Sequence, residues 1–149
     1  MANHVRRQIR EAVATAVTGL TTTGSRVFQS RIYPLENADL PGLLVYAESE
    51  TTTVITIHGH PALDRRLLLR VTGVAKAVAD LDDTLDLIAK EVEIAIGNAA
   101  ASFAALKCGI TFAGTQIEMQ GTAEQPVGTV TLNYEANYFT PDNAPDTAL

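Results

Sequence analysis

The sequence predicts an α+β fold, a mainly antiparallel or mixed β-sheet packed against two or three helices. The patterns follow the order helix, about four strands, helix and two strands, without the regular βαβ alternation of a parallel sheet. A chain of 149 residues, 46% hydrophobic and 19% charged, has the usual balance of one globular unit. Because no repeat or long linker divides it, we predict a single domain over residues 1–149, with a flexible tail at 141–149.

Two helices are predicted by apolar residues at helical spacing. The first has Asn3 as its expected N-cap and ends near Gly19, and the second follows an acidic cluster and stops at Gly97. The alanine-rich residues 99–106 fit either an extension of the second helix or a short helix of their own. The apolar positions are Val5, Ile9, Ala12, Val13, Ala16, Val17 and Leu20 in the first helix and Leu85, Ile88, Ala89, Val92 and Ile96 in the second.

Strand patterns occupy most of the remaining chain. The short apolar strand at residues 43–47 is expected at the centre of the sheet. In the strand at residues 108–119, the apolar face changes phase across Gly114, which predicts a β-bulge. In the longest strand, Leu67, Leu69 and Val71 alternate with Arg66 and Arg70, which therefore face the other way. The predicted strands are residues 26–33, 43–47, 51–58, 65–76, 108–119 and 129–138.

Charge is distributed unevenly along the chain. The net charge of −6 argues against sequence-independent phosphate binding as a main activity. Residues 1–76 hold nine Lys and Arg against six Asp and Glu, whereas residues 77–149 hold two against eleven. This polarity suits head-to-tail contact between identical copies, although folding can equally intermix the two halves.

The candidate subunit-interface residues are Arg66, Arg70, Asp82, Asp83 and Asp86. Arginines on strands often only prevent sheets from pairing edge to edge, and aspartates at a helix start suit the positive end of the helix dipole. The alternative hypothesis is that the two arginines of one subunit meet the three aspartates of the next.

Enzyme chemistry has little support in the sequence. The single cysteine, Cys108, excludes an internal disulfide and is expected to be a small buried hydrophobe. The phosphate-binding loop and the common serine and zinc hydrolase motifs are absent. The spacing of His58 and His60 resembles half of a metal site, with Asp64 or His4 as a possible third ligand, so a small metal-dependent hydrolase is the alternative from another class. We predict no enzyme activity and no cofactor or metal.

Two stretches of the chain resemble a known family. RIYPLENADLPGLLVY at residues 31–46 has an acidic and apolar segment with proline before an apolar strand, and TVTLNYEANY at residues 129–138 closes the sheet. A basic N-terminal helix and a long strand before an Asp-rich helix complete the layout. Over about residues 4–139, the chain resembles siphophage tail terminator proteins of the lambda minor tail protein U type.

The resemblance implies a structural α+β subunit that forms a hexameric ring at the head-proximal end of the tail tube, ends tube polymerisation and presents the head-joining surface. Its partners would be other copies of itself, the tail tube protein and a head-completion or neck protein. It would assemble in the host cytoplasm and reside in the virion tail, without cofactor, membrane or nucleic-acid specificity. Another neck or head–tail connector or completion protein is the alternative within this class.

Overall fold

The computed structural model describes residues 2–30, 39–76, 79–120 and 127–149. It confirms the predicted fold class, because within these ranges three helices accompany one mixed five-stranded sheet. The strand order is β1-β2-β3-β5-β4; β1 and β2 are parallel, and the other neighbours are antiparallel. The elements are α1 (Val5–Ala16), β1 (Val27–Phe28), β2 (Gly42–Val54), β3 (Ala62–Lys76), α2 (Leu81–Asn98), α3 (Ala100–Ala105), β4 (Gly109–Gln120) and β5 (Val127–Pro141).

The core lies between one face of the sheet, here called the covered face, and the helices. Leu67, Leu69 and Val71 of β3 are fully buried there, as their alternation predicted. Gly73 continues this row, and a Cβ at this position would stand 2.7 Å from the Ile88 side chain of α2. The absence of a side chain at Gly73 therefore lets α2 pack closely on the sheet. The other face, which carries Arg66 and Arg70, is called the open face.

The first half of the sheet differs from the prediction. The expected strands at 43–47 and 51–58 are one continuous strand, β2, whose register against β3 shifts between Ala47 and Ser49. This irregularity changes the phase of the alternation, so one strand has the sequence pattern of two. β1 contains two residues instead of the eight predicted at 26–33, and positions 31–33 of that prediction lie outside the described residues.

The bulge predicted at Gly114 is confirmed, because the register between β4 and β5 shifts between Phe112 and Gly114. Because of the shift, the apolar residues before and after it point to the same face of the sheet. They oppose residues of the covered face of β5: Ile110 faces Ala136, Phe112 faces Tyr134, Ile117 faces Val130 and Met119 faces Gly128.

The ends of the helices also differ from the prediction. His4, and not Asn3, is the N-cap of α1, and its Nδ1 accepts a hydrogen bond of 3.1 Å from the Arg6 backbone N–H. α1 ends at Ala16, three residues before the predicted stop. α2 continues to Asn98. The alanine-rich residues 99–106 contain a short separate helix, α3, and do not extend α2. No helix in the described ranges combines the length and apolarity needed to cross a membrane.

The segment predicted as a loose tail makes several contacts with the domain. The Pro145 carbonyl accepts a hydrogen bond from the Val5 N–H at 2.9 Å, and the Leu149 N–H donates to the Phe139 carbonyl at 2.9 Å. The Gln8 side chain also donates to the Asp146 carbonyl. These bonds place residues 142–149 beside the start of α1 and the end of β5.

The His4 cap makes stability depend on pH. Burial and, next, the positive charge of Arg6 lower the pKa of His4 from its ordinary 6.5. Only the neutral imidazole accepts the cap hydrogen bond, so this contribution is complete above pH 6.5 and is lost as the pH falls towards the lowered folded-state pKa. We expect urea denaturation to show a loss of about 1 kcal/mol of unfolding free energy through this cap between pH 7.5 and 5.

The variant His4→Asn separates the cap from other titrations, because asparagine can accept the same bond without titrating. It should lose about 1 kcal/mol less stability over this interval than the natural chain. Identical pH profiles for the two proteins would show that protonation of His4 does not matter for folding.

Candidate subunit interface

Arg66 is the most accessible of the predicted interface arginines. It lies on the open face of β3, opposite Thr51 of β2 and Asn137 of β5. Its side chain is 60% exposed, and its Nη1 is 4.0 Å from the Glu135 carboxylate. An ion pair this long and this exposed contributes little stability, so the guanidinium can exchange it for a carboxylate on another molecule.

Arg70 is held more firmly by its own domain. Its side chain is 29% exposed and its Nη1 lies 3.8 Å from the Glu48 carboxylate. Its Nε is buried and has no hydrogen-bond partner among the described residues. Both arginines thus have a carboxylate on the same face. Arg66 from the basic first half of the chain lies beside Glu135 from the acidic second half, so folding brings residues of the two halves together on this face.

The three predicted aspartates are exposed near the start of α2. Asp82 and Asp83 occupy its first turn, where a negative charge is favourable beside the positive end of the helix dipole. Within the described residues, the N-cap Asp80 makes no side-chain capping bond. The dipole therefore explains part of this cluster, whereas side-chain capping does not.

The arginines and aspartates lie on different layers of the molecule. Arg66 and Arg70 project from the open face, and α2 packs on the covered face through residues such as Ile88. The sheet and its core separate the two charge groups, so they do not pair within one chain. Contact between them requires two copies of the chain.

The histidine pair is not arranged as the strand prediction implied. β2 ends at Val54, and residues 58–60 form a bend in which Gly59 has a φ of +64°. The Nδ1 atom of His60 is 3.1 Å from the Asp142 carboxylate, and the proposed third ligand Asp64 lies on β3. Among the described residues, no group of three or more His, Cys, Asp or Glu side chains is placed to hold a metal ion.

A buried polar network that the sequence did not reveal connects α1 with three strands. The Glu50 carboxylate, 7% exposed, accepts hydrogen bonds from Arg65 at 3.0 Å, from Arg6 at 3.2 Å and from the Tyr138 hydroxyl. Arg65 also donates through Nε to the Thr140 hydroxyl at 2.9 Å. Burial first, and then the hydrogen bond to Glu50, raise the pKa of Tyr138 above its ordinary value. The phenol therefore stays a donor at neutral pH.

The network joins α1 to the sheet through one shared carboxylate. Its carboxylate accepts hydrogen bonds from two guanidinium groups and a phenol. The residues lie far apart in sequence. Glu50 also turns inward only because of the irregularity at Ala47 and Ser49, so sequence alternation contained no signal for it.

An apolar groove of about 410 Å³ runs between the helices and β4. Phe103, Ile110, Phe112 and Tyr134 line it, and Glu93 of α2 stands at its side. Burial, and secondarily the charge of Glu93, raise the pKa of Tyr134 to about 12. Cys108 also lines the groove, and burial raises the pKa of its thiol to about 11, so it is predominantly an unreactive thiol at neutral pH.

Comparison with known proteins does not assign the chain to a family. No family model matches the sequence. A search of curated proteins also found no match. The function is therefore inferred from the residues and their arrangement.

Proposed function

We propose that this protein is a structural subunit that forms a ring at the head-proximal end of a non-contractile phage tail. There it stops growth of the tail tube and provides the surface to which the head is joined. The observation that carries the proposal is the separation of two exposed charge groups onto opposite layers. Arg66 is available on the open face and the α2 aspartates on the other layer, so each copy can contact two others in the same sense.

The resemblance of residues 31–46 and 129–138 to tail terminators supports the same proposal and supplies its biological setting. A heterologous contact between copies produces a closed ring when the rotation between neighbours divides a full turn, and six copies would match the family. The proposed partners are further copies, the tail tube protein and a head-completion or neck protein, and the proposed location is the virion tail.

Binding to purified tail tubes of the phage that encodes this chain tests the proposal. We expect the protein to sediment with tubes and to be seen by negative-stain electron microscopy at one end only. Tubes given the protein before addition of fresh tube protein should stop elongating. Binding instead to the portal vertex of DNA-filled heads would contradict the terminator function and identify a neck or head-completion protein.

A further inference from the structure

Two exposed apolar patches lie at distant positions on the domain. The first, here called the hairpin tip, consists of Val54 at the end of β2 and of Ile55 and Ile57 in the connection to β3; Ile57 is 84% exposed. The second, here called the β4 row, consists of Phe112, Ile117 and Met119 on the edge strand, where Ile117 is 55% exposed, and the partly buried Ile110 continues it. Exposed apolar side chains gathered in this way favour burial against another surface.

The backbone of the hairpin is held in place, although its apolar side chains are not covered. The Ile55 N–H donates to the Ala62 carbonyl at 3.0 Å, and the Ala62 N–H donates to the Thr56 hydroxyl at 2.8 Å. The Asp142 N–H donates to the Pro61 carbonyl at 3.0 Å. A partner would therefore meet a preorganised projection and would have little backbone to order on binding.

The two patches cannot cover one another within a single chain. The strand register pairs Ile117 with Val130 of β5, which in turn pairs with Gly73 of β3, so Ile117 lies level with Gly73. The hairpin, in contrast, meets β3 at Ala62. These β3 positions are separated by eleven residues, or roughly 35 Å along the strand. β4 is also the far edge of the sheet from β2. The patches thus stand diagonally across the domain, as contacts of a repeating head-to-tail assembly would.

Charge complements the apolar match. Asp82, Asp86 and Glu93 follow one another at helical spacing on one side of α2, and Glu93 is the member that borders the groove beside the β4 row. Residues 51–63 of the hairpin contain no carboxylate of their own, Asp142 contacts His60 in the bend, and the exposed Arg66 lies on β3 beyond Asp64. The acidic side of α2 thus borders one apolar patch, and the exposed cation Arg66 lies near the other.

We propose that the hairpin tip of one copy docks against the β4 row of the next copy, with Arg66 meeting the acidic side of α2. The partner that covers β4 on the side of the apolar groove is a second copy of this chain. The inference rests on the proposed ring and deepens it by naming the two surfaces that join. Apolar burial provides affinity, and the charged margin sets the direction of docking.

Cysteine pairs test this contact on the full chain with Cys108 replaced by alanine. Ile57→Cys and Ile117→Cys variants are mixed and treated with a short bis-maleimide, and Ile57→Cys is mixed with Phe112→Cys in parallel. We expect a covalent dimer in at least one mixture and little in either variant alone. Light scattering on the same samples reports whether they assemble. Ring-sized particles without cross-links would overturn the docking inference and leave the ring intact, whereas single chains throughout would overturn both.

The variant Ile57→Asp provides a second readout that does not depend on cross-linking. Its side chain is so exposed that the melting temperature should remain unchanged, while the concentration needed for assembly should rise at least about tenfold. Leu149→Asp is the matched control, because Leu149 is an exposed apolar residue outside both patches. Equal assembly of Ile57→Asp and the natural chain would contradict the proposal. If Ile57→Asp instead loses binding to tube ends while its self-assembly is unchanged, the hairpin tip contacts the tube protein. That result would also overturn the proposed contact between copies.

Discussion

Replacing Glu50 with glutamine is expected to lower the free energy of unfolding by about 3 kcal/mol. The Glu50 carboxylate is almost fully buried and is the shared acceptor of Arg65, Arg6 and Tyr138. An amide of the same size removes the negative charge and leaves the buried guanidinium of Arg65, only 11% exposed, without its counter-ion. Urea denaturation at neutral pH measures the loss.

Glu48→Gln is the matched control for this prediction. Glu48 lies two residues earlier on β2, but its side chain is a third exposed and its contact with Arg70 is 3.8 Å long. Its replacement should cost less than about 1 kcal/mol, as for other surface pairs. Equal effects of the two substitutions would show that the buried network does not hold α1 and the three strands together.

Reversing the charge of either proposed contact surface is expected to abolish self-assembly, and mixing the two variants is expected to restore it. Arg66→Glu makes both contact surfaces of a subunit acidic, and the double substitution Asp82→Lys with Asp86→Lys makes both basic. Each variant then repels its own kind. In an equimolar mixture every contact is again between opposite charges, provided that the two variants alternate around a ring with an even number of subunits.

The restoration distinguishes a contact from a folding defect, since two misfolded variants would not repair each other. Light scattering should show single chains for each variant and the ring mass for the mixture. Arg7→Glu is the control, because Arg7 is another exposed arginine paired with a surface carboxylate, Glu11. Arg66 is preferred to Arg70 for this experiment, since the half-buried Arg70 supports its own domain. A mixture that stays monomeric, or Arg66→Glu assembling normally, would remove these residues from the interface.

Elements with a sustained period could be predicted from the sequence. α2 has buried apolar residues at helical spacing from Leu81 to Ile96, and burial alternates along β5 from Val130 to Thr140, so local periodicity and tertiary burial agree. The prediction of two strands in place of β2 is wrong because a register irregularity inside a strand reverses its alternation, and only pairing with β3 shows that the strand continues. Sequence alternation alone contains no information about that pairing.

The candidate interface was predictable only in part, for a related reason. The face on which Arg66 and Arg70 lie follows from alternation along β3. Their contacts with Glu135 and Glu48 depend instead on which strands become neighbours and in what register. The hairpin tip and the β4 row likewise became visible only when the fold showed which apolar residues remain uncovered.

The solution mass of the purified chain, measured by light scattering over a range of protein and salt concentrations, tests the proposed ring most directly. We expect a discrete species near six copies of the 15.9-kDa chain, about 95 kDa, that is favoured by higher protein concentration and weakened by salt. A mass of one chain under every condition would contradict a ring that forms through the subunit's own surfaces.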